Sequence, residues 1–245
     1  SANEGFYYSS YDKPKGSELS AMTDHHKMYF HQLGTPQKDD KIVFGAQVSQ
    51  KYRYTVGYVS EDGRFLTISA SQTTSGNKLF IKDLSKESSP IISILDDFSS
   101  DSYLLHNQED KLYILTNRNA PNKKVIQVSV QNPQEQNWKD FILETEHVLS
   151  PSFGGGYFFA HYMVDAVSKV YQIDANGNNL GEIILPGIGT CNGFSSKMEE
   201  KELYYSFTNY HKPSVIYKFE VESRQSELYW QPNIDFNSTK YVSKQ

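Results

Sequence analysis

The sequence is poor in several things at once. It has one cysteine, Cys191, so no disulfide can form within the chain. It has no excess of basic residues, since 24 Lys and Arg stand against 29 Asp and Glu for a net charge of -5. A phosphate backbone would be repelled rather than neutralised, which argues against nucleic-acid binding. No apolar run approaches the roughly 20 residues that a membrane-spanning helix needs. The first residues carry no secretory signal. No segment shows sustained helical periodicity, none is of low complexity, and no linker separates a second domain. These absences point to a soluble protein and leave open whether it is cytoplasmic or periplasmic.

What is abundant is aromatic: 18 Tyr, 14 Phe and 2 Trp bring the aromatic share to 14%. Such side chains favour pleated, half-buried surfaces, so the composition leans toward β-structure. Five aromatic-rich strand candidates recur as GFYYSSY (5–11), RFLTISA (64–70), KLYILTN (111–117), GYFFAHY (156–162) and ELYYSFT (202–208). Counted from Phe6, Phe65, Leu112, Tyr157 and Leu203, the steps are 59, 47, 45 and 46. A second series follows at 27–33, 78–84, 124–130, 169–175 and 215–221, with steps of 51, 46, 45 and 46 from Met28 onward. A third lies at 41–45, 90–95, 138–143, 181–186 and 226–231. From the second unit on, a short strand at 54–60, 102–107, 148–153 or 191–196 precedes the aromatic one across a tight polar or glycine turn.

The unit is therefore four antiparallel strands in about 45 residues, the period of a propeller blade. A β-sandwich is the competing architecture, but it needs no fixed period. The expected fold is all-β, a β-propeller of about five four-stranded blades over residues 1–233. The first blade starts at its second strand, because Gly5 lies almost at the start. Sheet edges must be hidden, so the chain reads as a piece of something longer. Residues 234–245 run past the last blade as an exit segment.

Several segments resemble the propeller of the prolyl oligopeptidase family of serine peptidases. They are YDKPKGSELS (11–20), KMYFHQLGTPQKDD (27–40), TSGNKLFIKDL (74–84), TNRNAPN (116–122), NPQEQNWKD (132–140) and ELYYSFTNYHKPSVIYKFEV (202–221). LGTPQKDD also resembles the oligopeptidase B group, which prefers basic residues, whereas TNRNAPN resembles the prolyl group. The resemblance implies a seven-bladed propeller inserted into an α/β-hydrolase domain. This chain would supply the later five blades and lack the hydrolase domain.

Catalytic residues are not found. The nucleophile elbow G-x-S-x-G does not occur: Ser195 in GFSSK lacks the second glycine, and Ser75 in TTSGN has neither at the required position. By resemblance, the Ser, Asp and His of the parent lie beyond Gln245. His25, His26 and His31 match no zinc spacing and read as a solvated loop. Asp39–Asp40 and Asp96–Asp97 fall at strand ends, where Asp favours turns. Asn237-Ser238-Thr239 fits a glycosylation acceptor, a triplet common by chance. Cys191 reads as a buried inert thiol. GGG at 154–156 reads as a hairpin turn, because it lacks the strand-to-helix setting of a phosphate loop. No cofactor and no metal is implied.

In a four-stranded blade, the loops between second and third strands share one rim with the inter-blade loops. Here these are 11–26, 71–77, 118–123, 163–168 and 209–214, with 46–53, 96–101, 144–147 and 187–190. The resemblance implies that this rim faces the hydrolase domain and that the ring admits peptides while excluding folded proteins. Tyr54, Thr73, Thr74, Arg118 and Asn119 are the candidate binding residues at that interface. The bland alternative is that Arg118 only holds a loop and Tyr54 only packs in the core. A stand-alone propeller that binds a peptide or protein is the other functional reading, since fold alone does not fix function.

Overall fold

The structure is a computed structural model that describes residues 4–13, 16, 25–236 and 240–243. Its strands form five antiparallel sheets, each made from one contiguous stretch of chain. The first has three strands, β1 (Gly5–Ser10), β2 (Lys27–Gln32) and β3 (Lys41–Phe44). The second contains β4 (Tyr54–Val59), β5 (Phe65–Ser71), β6 (Lys78–Asp83) and β7 (Ile91–Leu95). The third contains β8 (Ser102–Gln108), β9 (Lys111–Thr116), β10 (Lys124–Ser129) and β11 (Lys139–Ile142). The fourth contains β12 (Ser150–Gly154), β13 (Tyr157–Val164), β14 (Val167–Ile173) and β15 (Asn179–Glu182). The fifth contains β16 (Thr190–Gly193), β17 (Glu202–Asn209), β18 (Lys212–Glu220) and β19 (Gln225–Trp230). Strand order follows chain order within every sheet, as the repeat requires. Among the described residues, no helix is long and apolar enough to cross a membrane.

The chain divides into two compact units, one of residues 1–119 and 126–139, the other of residues 120–125 and 140–245. In the first unit, β5 is buried along nearly its whole length. Its alternation explains why: Leu66, Ile68 and Ala70 pack with Met28, Phe44 and Tyr52. Phe65 points the other way, into a layer with Leu79, Ile81, Leu112, Ile114, Ile126 and Val128. A strand buried on both faces reads as a near-continuous apolar run, and FLTISA departs from that only at Thr67, itself buried, and Ser69. In the second unit, Phe159 and Val170 pack against Cys191, Leu203, Tyr205, Phe207, Val215 and Phe219. Phe194 stacks on Tyr205 with centroids 4.5 Å apart. Full burial of each such ring contributes about 1.5–3 kcal/mol.

Two connections are tighter than the sequence suggests. Residues 163–168 and 209–214 were expected to be loops, yet β13 runs to Val164 and β14 begins at Val167. That leaves only Asp165 and Ala166 in the turn, both at positive φ, 47° and 63°. Two-residue turns of this twist continue the right-handed strands. Likewise β17 ends at Asn209 and β18 starts at Lys212. Gly155 and Gly156, at φ 59° and 80°, make the hairpin turn expected of GGG.

The largest difference concerns the outer strand of the fourth sheet. It occupies Asn179–Glu182, whereas the pattern GEIILP suggested 181–186. A register shift at Gln172/Ile173 seats Asn179 opposite Ile173, and Pro186 has no N–H for a ladder. Ile184 is consequently left 89% exposed beyond the strand. Equivalent shifts interrupt the outermost pairing at Met28/Tyr29, Leu79/Phe80 and Ile216/Tyr217.

Candidate functional site

Within each unit, the loops at one end of the sheets form a hydrogen-bonded rim. In the first unit, the Gln72 amide nitrogen donates to the Lys51 carbonyl at 3.0 Å, and Arg53 N–H donates to Gln72 Oε1 at 3.3 Å. The neighbouring loops meet through Asp101, which accepts from Gly76 N–H at 2.8 Å. Asn77 closes the same junction by accepting from Ser102 N–H at 2.8 Å while donating to the Ser102 carbonyl at 3.0 Å. Ser102 and Thr116 hydroxyls are buried and 2.7 Å apart.

Arg118 is the charged centre of this rim. Its Nε and Nη2 donate to the two oxygens of Glu135 at 2.9 and 2.8 Å, a fork matched to a carboxylate. Its Nη1 lies 3.0 Å from both oxygens of Asp97 and 2.8 Å from Ser99 Oγ. Glu135 sits in a short 3-10 turn, Glu135–Asn137. The Glu135 hydrogen bond and the Asp97 pair raise the Arg118 pKa further. Asp97 is held below the usual carboxylate range by the hydroxyl and amide of Ser99 and then by Arg118. Arg118 therefore binds two loops together.

The other sequence-predicted residues lie on the same rim. Tyr54 opens β4 opposite Ser71, with the Arg53 guanidinium 5.3 Å from its ring centre and His26 edge-on at 5.8 Å. Thr73 caps its own turn, donating to the Ser75 carbonyl at 2.8 Å. Thr74 and Asn119 are exposed, and Asn119 has a positive φ of 52°.

The histidine cluster does not converge, and one of its members is not in a loop. His25 Nε2 bonds with the Gly45 carbonyl at 2.9 Å, and His26 stacks on Tyr11. His31 lies within β2, with Nδ1 2.8 Å from Asp40 Oδ1. The reading of His31 as a solvated loop residue is thus corrected: strand alternation turns it toward Asp40, which also accepts from Tyr8 Oη at 2.7 Å. Burial works to raise the Asp40 pKa, but the Tyr8 and His31 contacts outweigh it and hold it low. Asp96 pairs with Lys78 at 2.7 Å, so neither acidic pair is arranged as a catalytic dyad. Asn237, Ser238 and Thr239 lie outside the described residues, as do 14–15 and 17–24 of the loop 11–26.

In the second unit the rim is built from 120–122, 144–149, 162–168, 187–190 and 208–212. Asn122 N–H donates to Glu144 at 2.6 Å, and its amide nitrogen donates to the Thr145 carbonyl at 3.0 Å. Ser168 N–H donates to the Gly189 carbonyl at 3.0 Å, and the Asn209 amide nitrogen donates to the Ile188 carbonyl at 3.0 Å. Ser168 Oγ accepts from Cys191 N–H at 2.9 Å and lies 2.8 Å from His161 Nε2. That Ser–His contact is structural, because Ser168 is only 2% exposed and its hydroxyl holds a backbone amide. Burial pushes the Cys191 thiol pKa up, in keeping with an inert thiol.

Sequence reasoning missed what this second rim displays. Met163, Ile188 and Tyr210 are 47%, 42% and 102% exposed. The available signal was apolar side chains inside turn segments such as PGIG and TNYHK, where polar residues usually stand.

Comparison with known proteins accounts for this arrangement. Residues 1–232 match the family model described as prolyl oligopeptidase, N-terminal beta-propeller domain. The chain is 49% identical over 244 residues to a prolyl endopeptidase of Elizabethkingia miricola, covering 99% of this chain and 34% of that protein. It is 48% identical to a prolyl endopeptidase of Elizabethkingia meningoseptica, with the same coverage. A solved structure from a study of two prolyl endopeptidases and their inter-domain dynamics superposes with a TM-score of 0.84 at 24% identity, over 96% of this chain and 34% of that one. The chain thus spans about a third of the length of these relatives. With blade-like sheets throughout and the match running over residues 1–232, the chain belongs to the prolyl oligopeptidase N-terminal β-propeller family.

Proposed function

We propose that this chain is the substrate-gating propeller of a serine endopeptidase that cleaves short peptides after proline. The observation that carries the reading is the 49% identity over almost the whole chain to a protein named prolyl endopeptidase. The chemistry belongs to an α/β-hydrolase domain of the same parent. The propeller's part is steric: a ring of sheets in front of the reacting groups admits an extended peptide and turns away a folded protein. Tyr54, Thr73, Thr74, Arg118 and Asn119 border the path of the peptide on the hydrolase-facing rim. Arg118 acts there as a positioning residue, fixing the loops that carry Asp97 and Glu135.

The test compares this chain with the full-length parent on a short chromogenic peptide containing proline. The full-length protein is expected to turn over, with loss of activity on a serine-directed inhibitor, and this chain by itself is expected to show none. Turnover by the chain alone, or none by the parent, overturns the reading.

A further inference from the structure

The second unit holds a cleft whose chemistry the gating role does not use. Its volume is about 780 Å³, and its lining residues fall within 141–182. Strand alternation builds it. Ala160 lies opposite Tyr171 and Tyr162 opposite Lys169 across the β13–β14 pair, so these four side chains share one face of the fourth sheet. Ala160 carries nothing beyond Cβ, which leaves a hollow beside the two rings. The rings of Tyr162 and Tyr171 stand edge to face, with centroids 6.1 Å apart. Phe141, packed on Phe158 at 4.8 Å, and the exposed Leu143 add apolar lining. A recess of this size, mostly apolar and aromatic with a few polar groups, has the make-up of a ligand site.

Its polar groups indicate the charge of the ligand. Two carboxylates, Glu146 and Glu182, line the cleft against one lysine, Lys169. Lys169 is paired with Glu182 at 2.8 Å. The Glu146 side chain is 86% exposed, and its neighbour His147, 3.6 Å away, balances it only when protonated. The uncompensated charge is therefore negative and favours a cation. The rings indicate the body of the ligand. Proline-rich segments dock in aromatic-lined grooves because the pyrrolidine ring is apolar and its chain is already stiff, so little entropy is lost on binding.

We propose that this cleft is a second peptide site, which takes a proline ring against Tyr162 and Tyr171 and the N-terminal ammonium of the same peptide at Glu146. The class of peptide rests on the reading given under Proposed function. The site itself lies outside the path that leads to the reacting groups. A peptide held there stays concentrated at the wall of the propeller, ahead of the step that admits it.

The experiment is calorimetric titration of this chain at neutral pH with tetraproline, with N-acetylated tetraproline and with tetra-alanine. The variants are Glu146→Gln and Tyr171→Leu, with Glu199→Ser, in the β16–β17 connection, as the control. Tetraproline is expected to bind in the millimolar range or tighter, and tetra-alanine at least tenfold more weakly. Acetylation removes the ammonium charge. Acetylation and Glu146→Gln are each expected to weaken binding at least threefold, and together no more than either alone, because both remove one contact. Tyr171→Leu is expected to weaken both forms of tetraproline at least tenfold, and the control to match wild type. Glu146 is exposed, so its variant tests the site even if Tyr171→Leu disturbs the fold. Absence of binding, equal affinity for tetra-alanine, or losses at Glu146 and the N-terminus that simply add overturns the proposal. The full-length parent with its reactive serine blocked should bind as this chain does; loss of binding there shows the cleft to be covered and also overturns it. Turnover of a short proline peptide by the unblocked parent separates the two readings. Binding without turnover leaves the cleft and sinks the peptidase reading, and turnover without binding does the reverse.

Discussion

Replacing Arg118 tests whether the first rim is held by charge. The guanidinium forms one fork with Glu135 and a second contact with Asp97, and its side chain is 20% exposed against 50% and 48% for the two acids. Pairs this close to solvent are screened, and each is worth about 0.2–1 kcal/mol. The fork geometry puts the Glu135 pair at the upper end of that range. Arg118→Ala also leaves two carboxylates facing one gap, but both are solvated enough to avoid the penalty of a buried charge. The sum is about 1–2 kcal/mol. For a chain of 245 residues this amounts to a fall of about 2–8 °C in the melting midpoint. Arg118→Lys should recover less than half, because one ammonium cannot fork on Glu135 and reach Asp97 together. In 1 M salt, where the screening length is about 3 Å, the difference between wild type and Arg118→Ala should shrink by at least half. Thermal melts followed by near-ultraviolet circular dichroism at low and high salt measure both effects. A midpoint unchanged within 1 °C at low salt, or a loss that salt does not touch, would refute the clamp.

Three further outcomes are expected. Ala166 sits in the β13–β14 turn at φ 63°, a conformation that costs a residue with a Cβ about 1 kcal/mol; Ala166→Gly should therefore raise the midpoint by about 2–4 °C, and a fall would show that the turn is not strained. Burial works against ionisation of Asp83, but the Ser85 hydroxyl and amide together with Arg64 outweigh it and bring the pKa down to about 2. A carboxylate with a lowered folded-state pKa contributes stability that is full above its unfolded value near 4 and lost as pH falls toward 2, so Asp83→Asn should flatten the denaturation midpoint between pH 4 and pH 2. Equal slopes for wild type and variant would exclude that role. Cys191 is 6% exposed with its thiol pKa raised by burial; a thiol reagent should modify it at least a hundredfold more slowly in the folded protein than in denaturant, and fast labelling of the native chain would contradict its burial.

The repeat was legible because each blade writes the same constraint into sequence. Aromatic and β-branched residues alternate where a sheet is packed on both faces, as in FLTISA, and polar or glycine turns separate them. The incomplete first sheet was legible for the same reason, since Gly5 falls on the second strand of the unit. Tyr54 opens a strand, and Thr73, Thr74, Arg118 and Asn119 lie in the connections between strands, positions that strand counting reaches without side-chain geometry. Partners across loops were not legible: that Arg118 meets Glu135 depends on a 17-residue excursion folding back. The outer strand of the fourth sheet was misjudged because GEIILP is apolar to its end while only Gly181 and Glu182 of it lie in the strand. A register shift between Gly181 and Asn179 carries the strand's start back to Asn179, and the ladder stops after Glu182, short of Pro186, which has no N–H to give it. His31 falls inside the strand series at 27–33, and reading it with His25 and His26 as a solvated loop set that aside; its partner Asp40 was not legible from local pattern.

The register shifts in the outermost pairings have a consequence for solubility. Each sheet ends in a strand whose far side has no partner within that sheet, and an unpaired edge is a template on which another chain can add. In four sheets the pairing slips by a residue at that last strand. A bulge bends the edge and breaks the regular spacing of its donors and acceptors. The strands concerned are also short, with four residues in Lys41–Phe44 and in Asn179–Glu182. The longest is Gln225–Trp230, with six residues and Leu228, Tyr229 and Trp230 exposed. Filament growth by edge addition is therefore discouraged at most margins of the protein, and the Gln225–Trp230 edge is the place where aggregation would begin.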